Sequence, residues 1–92
     1  MATLTKEAPA GVIGKRQWWS LGSVTALVAY GTDGCGISIC DQDNRDITDQ
    51  VVKKMDALGQ QVRTAQSIDS VMIRCSEESI ISFLEDVEKV IL

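Results

Sequence analysis

The feature that most constrains the fold is a glycine-rich turn between two apolar segments. The run Gly31-Thr32-Asp33-Gly34 supplies the positive φ values that a tight hairpin needs. It joins residues 24–30 to residues 35–40, which are both rich in β-branched and small apolar side chains. We therefore expect an antiparallel hairpin. Both faces of its first strand are mainly apolar, which predicts a strand that is central in its sheet or covered on both sides.

Two later segments have the apolar periodicity of amphipathic helices. In the first, apolar residues recur four, four and three positions apart, at Ile47, Val51, Met55 and Leu58. Gly59 follows and is a typical residue just beyond a helix end. In the second, the spacings are four, three and four, at Ile80, Leu84, Val87 and Ile91.

These elements predict an α+β fold, a small antiparallel sheet with two helices on one face. Strands at 60–66 and 71–75 lie between the helices, so the expected order is β-β-α-β-β-α, with an extra N-terminal strand at the tryptophan pair left open. Residues 1–14 contain Pro9, Gly11 and Gly14 and show little periodicity. We interpret 1–14 as a flexible N-terminal arm and 15–92 as a single α+β domain.

The composition excludes several kinds of active site. None of the 92 residues is histidine, so serine or cysteine triads and zinc sites that use imidazole cannot form within the chain. The segment 41–49 begins like a calcium loop, but Asp46 and Val52 stand where a glycine and a bidentate glutamate are needed. We therefore predict that the protein is not an enzyme and has no metal site and no cofactor.

The three cysteines favour a reduced protein. An odd number in a chain that can form its own core argues against a disulfide scaffold. Cys35 and Cys40 would lie roughly 16 Å apart on one strand, too far for a disulfide. Cys35, next to the turn, is the candidate reactive thiol. No apolar stretch is long enough to span a bilayer, so we expect a cytoplasmic protein without a membrane partner.

The charge is unevenly distributed along the chain. Residues 1–32 have three basic and one acidic residue, net +2, whereas residues 33–92 have a net charge of −6. The basic part includes Lys15, Arg16, Trp18 and Trp19, which we predict to be the partner-binding residues because Trp and Arg are enriched in binding hot spots. The acidic remainder favours a basic partner.

The sequence favours a non-catalytic protein-binding module, such as an adaptor, an assembly factor or an inhibitor. Surplus apolar residues on the second helix predict a homodimer, with Ile81, Phe83 and Val90 as candidate interface residues. Two alternatives stay open. The basic-aromatic segment is also typical of single-stranded nucleic-acid binding, and the thiols allow a redox or sensor role.

Overall fold

The computed structural model describes residues 1–9, 14–66 and 70–91, which form a six-stranded antiparallel sheet and two α-helices. The strands are β1 (Thr3–Ala8), β2 (Arg16–Ser20), β3 (Thr25–Gly31), β4 (Gly34–Cys40), β5 (Arg63–Gln66) and β6 (Val71–Cys75). The helices are α1 (Thr48–Ala57) and α2 (Ile80–Ile91), and a 3₁₀ turn (Glu77–Ser79) leads into α2. The spatial order of the strands is β1-β2-β3-β4-β6-β5.

The α+β class is confirmed, but the predicted element order is wrong at the N-terminus. Four strands precede α1, because Thr3–Ala8 form an edge strand where an irregular arm was expected. Five of the six β1 residues are exposed, so β1 buries little apolar surface and is held mainly by its pairing with β2. That pairing has no signature in the local apolar pattern. The rest of the predicted arm, at 10–13, lies outside the described residues.

The predicted hairpin is present as β3 and β4. Gly31 pairs with Gly34, whose φ of 116° lies in the region that favours glycine. The hairpin directs one set of alternating side chains into the core, where Ala26, Val28 and Ile37 are fully buried. β3 and β4 are the two central strands of the sheet, as the apolar character of both faces of β3 indicated.

The two helices pack on one face of this sheet. The buried α1 residues Val51, Val52 and Met55 and the buried α2 residues Ile80, Leu84, Val87 and Val90 belong to the same apolar cluster as the inward residues of β3, β4 and β6. One detail of the predicted pattern is wrong: Leu58 is 63% exposed because α1 ends at Ala57.

The start of α1 is fastened to the sheet by polar contacts. The Thr48 hydroxyl accepts a hydrogen bond of 2.8 Å from the backbone N–H of Ile39. Asp46 Oδ1 accepts hydrogen bonds from both the backbone N–H and the hydroxyl of Thr48. The acidic segment before α1 therefore orders a turn and the first helical turn, which accounts for carboxylates that resemble a cation loop in sequence.

The other face of the sheet has no described helix or strand packed over it, and we call it the open face. The strand register places on it, among other residues, Lys6, Arg16, Trp18, Leu27, Ala29, Ser38, Arg63, Ala65, Met72 and Arg74. The apolar residues among them are half-buried or exposed rather than buried. A sheet that presents apolar side chains on both faces is typically covered on both, so the open face is a candidate binding surface.

Candidate functional site

A row of arginines crosses the open face. Arg16 pairs with Ala29, Ala29 with Gly36, Gly36 with Arg74, and Arg74 with Arg63. These five positions therefore form one line perpendicular to the strands. Small residues occupy the middle of the line, and guanidinium groups lie toward both of its ends. Guanidinium groups pair well with carboxylates, so this basic row is suited to acidic groups.

A second row, which we call the apolar row, runs beside the basic row, two residues away from it along each strand. Its apolar members are Trp18, Leu27, Met72 and Ala65. Lys6 pairs with Trp18, Trp18 pairs with Leu27, and Leu27 pairs with Ser38. On the far strands, Met72 pairs with Ala65. The Met72 side chain also lies over Gly36, and its sulfur is so close that a Cβ atom on Gly36 would collide with it. The open face therefore combines a basic row with an apolar row of comparable length.

The sign of charge in this molecule divides by face. The open face has four cations, Lys6, Arg16, Arg63 and Arg74, and none of its residues is acidic. Glu7, the one acidic residue in the described strands, is in register with Gln17 on the opposite face. The 3₁₀ turn and α2 together contain five acidic residues and one lysine. The net charge of −4 is thus unevenly distributed: the open face is basic, the 3₁₀ turn and α2 are acidic, and α1 has two acidic and two basic residues.

Trp18 is the aromatic residue of the open face, and cations lie over its ring. Lys6 Nζ lies 4.7 Å and the Arg16 guanidinium carbon 5.8 Å from the ring centroid, within the range of cation–π attraction. Arg16 Nε is buried without a hydrogen-bond partner among the described residues. A nucleic-acid base that stacked on Trp18 would have to compete with these cations for the ring.

The structure divides the four predicted partner-binding residues between the two faces. Arg16 and Trp18 lie on the open face, whereas Lys15 and Trp19 lie on the helix side. Trp19 is half-buried against the core, and its Nε1–H donates to Gln17 Oε1 at 3.2 Å. Lys15 Nζ lies 4.3 Å from the centroid of the Tyr30 ring. The two adjacent tryptophans therefore have different environments, as successive residues of a strand must.

Gln17 is the centre of a polar network on the helix side. Its Oε1 accepts from Trp19 and, at 2.6 Å, from the Tyr30 hydroxyl, while its Nε2 donates to Glu7. Gln17 is buried, so these partners satisfy its amide. The network joins β1, β2 and β3 and holds Trp19 in place, which leaves Trp18 directed to the open face.

Sequence reasoning missed Lys6, Arg63 and Arg74. Lys6 fell in the predicted arm, and the two arginines are far from the tryptophans in sequence. A signal was present for one of them: if Val71, Ile73 and Cys75 point inward, Met72 and Arg74 point outward. The register that aligns Arg74 with both Arg63 and Arg16 depends on the pairing of β4 with β6, which local patterns do not specify.

The geometry does not favour thiol chemistry. Cys35 lies in β4 and is 1% exposed, and burial raises its pKa, with Glu77 adding to the effect. Burial also raises the pKa of the Cys40 and Cys75 thiols. All three cysteines are unpaired. Reactive cysteines are typically accessible and have a lowered pKa, so these thiols have the properties of structural side chains.

The three predicted dimer-interface residues have different environments. Ile81 is 56% exposed, Phe83 is half-buried against the core, and Val90 is 7% exposed and belongs to the core. Ile81 is therefore the one of the three whose side chain is largely available for contact with another molecule.

An open cleft of about 790 Å³ lies at one end of the sheet, where the β3–β4 turn, the start of β5 and the start of α2 meet. Asp33, Glu77 and Asp86 line it together with Arg63 and Arg74. Small-molecule sites are usually mostly apolar with a few polar groups, whereas this lining is rich in charges of both signs. Among the described residues, no group of three or more potential ligands is placed to hold a metal ion.

No helix within the described ranges is long and apolar enough to cross a membrane. No known family model, curated protein or solved structure matches this chain.

Proposed function

We propose that this protein is a non-catalytic protein-binding module that docks an acidic, partly apolar surface of a partner on its open face. The observation that supports this most is the coincidence of the basic row with Trp18, Leu27 and Met72 on a face that the helices leave uncovered. Buried aromatic anchors surrounded by complementary charges are typical of protein interfaces. An adaptor, an assembly factor or an inhibitor would act through such a face.

The proposed partner surface is acidic, although the overall charge of the chain favours a basic partner. At physiological ionic strength, charges are largely screened beyond about 8 Å. Groups that contact the open face therefore experience its four cations more strongly than the carboxylates of the 3₁₀ turn and α2. Local charge complementarity sets the preference of a docking site.

A protein is favoured over single-stranded nucleic acid as the ligand of the open face, because cations already occupy the space over the Trp18 ring. Sequence-independent binding of single strands relies on bases stacking on aromatic rings, and Lys6 and Arg16 already lie over this ring. We also propose a cytoplasmic location, which the three unpaired thiols support.

The test is affinity capture from a lysate of the source cells with three immobilised proteins. These are the wild type, the open-face variant Trp18→Ala/Arg74→Glu, and a matched control on α1, Leu58→Ala/Lys54→Glu. Both variants truncate one apolar side chain and reverse one positive charge. We expect acidic proteins to bind the wild type and the control and to be lost from the open-face variant, with nuclease treatment having no effect.

Each captured protein is then purified, and its Kd is measured against the three proteins. The proposal requires binding at least about tenfold weaker for the open-face variant than for the control, which corresponds to about 1.4 kcal/mol. Equal binding to all three proteins would refute the site. Loss of binding on nuclease treatment, with steeply salt-dependent binding of an oligonucleotide, would instead support the nucleic-acid alternative.

A further inference from the structure

We infer that a second copy of this chain is a partner for the open face, and that its helix α2 is the docked element. This inference rests on the proposed function and names the partner of that site. The contact would be head-to-tail, because the open face and α2 lie on opposite sides of the sheet. Copies would then stack into rows or close into a ring.

The outward side of α2 has exposed carboxylates, which the open face lacks, next to an exposed apolar side chain. Ile81 is 56% exposed, and Glu85 lies four residues further along the helix. Glu78, in the 3₁₀ turn, lies three residues before Ile81. Positions three and four apart share one side of a helix, so an apolar side chain lies between two exposed carboxylates.

The two surfaces correspond in sign and in size. Glu78 and Glu85 are the exposed carboxylates beside Ile81, whereas Glu88 is paired with the N-terminal ammonium group and Lys89 adds one positive charge. The open face has four cations. A helix of 12 residues is about 18 Å long. The interval from β2 to β6, which separates Trp18 from Met72, is three strand spacings, or about 14 Å. Ile81 can therefore reach the apolar row while the carboxylates of α2 reach the basic row.

A helix suits this face better than an extended segment does. Strand addition takes place at the edges of a sheet, where backbone groups are unpaired. An extended chain laid over the apolar row would leave some of its own backbone N–H and C=O groups without partners. A helix has satisfied its backbone internally, and this protein already covers its other sheet face with two helices.

Charge also excludes the symmetric arrangements. Two open faces brought together would oppose four cations to four cations, and two α2 surfaces would oppose carboxylates to carboxylates. The head-to-tail contact is the arrangement that pairs opposite charges. It uses Ile81, and it leaves Phe83 and Val90 within their own subunit.

The available area implies weak assembly. Five strand spacings by a five-residue strand give about 24 by 17 Å, or about 400 Å². A standard stable interface buries about 800 Å² on each partner. We therefore expect association at roughly 100 μM and above, and strong sensitivity to salt because charge complementarity contributes much of the attraction.

The test is sedimentation velocity of the full chain from 10 to 500 μM, in about 20 mM and about 300 mM NaCl. We expect the weight-average mass to rise beyond that of a dimer at low salt. The apparent association constant should fall at least about tenfold at high salt. A monomer at 500 μM and low salt would overturn the inference, and so would a mass that stops at a dimer.

Two neutralising variants test the head-to-tail geometry. Trp18→Ala/Arg74→Gln disables binding by the open face, and Ile81→Ala/Glu85→Gln disables binding by α2. Each variant alone should remain monomeric, whereas an equimolar mixture should form a dimer and nothing larger, because one native interface remains. Leu58→Ala/Asp56→Asn on α1 is the control that should assemble like the wild type. Assembly of either variant alone, or a mixture that stays monomeric, would overturn the inference.

The salt series on the unmodified protein keeps the inference testable if a double variant does not fold. The outcome is also separable from that of the proposed function. A monomeric wild type that still captures an acidic protein through its open face would leave the proposed function intact and refute only self-association.

Discussion

Reversing the charge of Arg74 should make the protein more stable while it weakens binding. Arg63 and Arg74 are direct partners in the β5–β6 pair and point to the same face. Like charges directly opposite each other destabilise a sheet. Among the described residues, Arg74 donates a long hydrogen bond of 3.4 Å to the Asp33 carbonyl oxygen. Two arginines that oppose each other in a sheet suit a binding site for acidic groups, which would pair with both.

The magnitude follows from the pairing distance. Opposite residues in an antiparallel pair lie about 5.5 Å apart between Cα atoms, and at that distance two unit charges in water interact by about 0.8 kcal/mol. Arg74→Glu replaces repulsion with attraction, a change of about 1.5 kcal/mol before screening. Physiological salt reduces this by roughly half. We expect the free energy of unfolding to rise by about 0.5–1 kcal/mol.

The assay is urea denaturation of a charge-reversal cycle. The four proteins are the wild type, Arg63→Glu, Arg74→Glu and the double variant. Both single variants should be more stable than the wild type, and the double variant should return close to it, because two glutamates repel as two arginines do. The coupling energy should largely disappear in 1 M NaCl. A coupling energy near zero at low salt, or one that persists at 1 M, would refute this reasoning.

Three further predictions concern the side chains around the site. Gly36→Ala should destabilise the protein by about 1 kcal/mol because the new Cβ displaces Met72, and Met72→Ala should relieve that cost in a double variant measured by urea denaturation. Gln17→Leu should cost about 1–2 kcal/mol, because it leaves the Trp19 and Tyr30 donors unpaired, and an unchanged melting curve would contradict the network. Burial raises the pKa of Tyr30 and of the three thiols, so the unfolded chain loses these protons at lower pH than the folded chain. Stability should therefore be fully present below about pH 9 and decline as the pH rises further, and a flat stability profile from pH 8 to 11 would contradict this.

The parts of the fold that could be predicted from the sequence are those set by local periodicity. The β-branched and small apolar segments on either side of the Gly31–Gly34 turn identified β3 and β4, and the recurrence of Ile80, Leu84 and Val87 identified α2. In these elements, Val28, Ile37, Ile80, Leu84 and Val87 are buried where the local pattern places them. Local pattern and tertiary packing agree there, so short-range reasoning suffices.

The parts that could not be predicted depend on pairing between distant segments. β1 is almost entirely exposed, so its sequence has no core-facing pattern to recognise. The basic row needs five strands in register before Arg16, Arg74 and Arg63 align. Sequence reasoning therefore found Arg16 and Trp18 but grouped them with Lys15 and Trp19, which the alternation of β2 directs to the other face.

The most direct test of the central claim is selective quenching of Trp18 fluorescence. In the Trp19→Phe variant, Trp18 is the sole tryptophan, and it lies on the open face near Lys6 and Arg16. We predict that the ratio of the iodide to the caesium quenching constant at equal ionic strength is several-fold larger for this variant than for free N-acetyltryptophanamide, because the surrounding cations attract iodide and repel caesium. In Trp18→Phe, which leaves Trp19 against the core, quenching by either ion should be weaker. A ratio for Trp18 equal to that of the free fluorophore, or protection of Trp18 from both ions, would contradict a basic and uncovered open face.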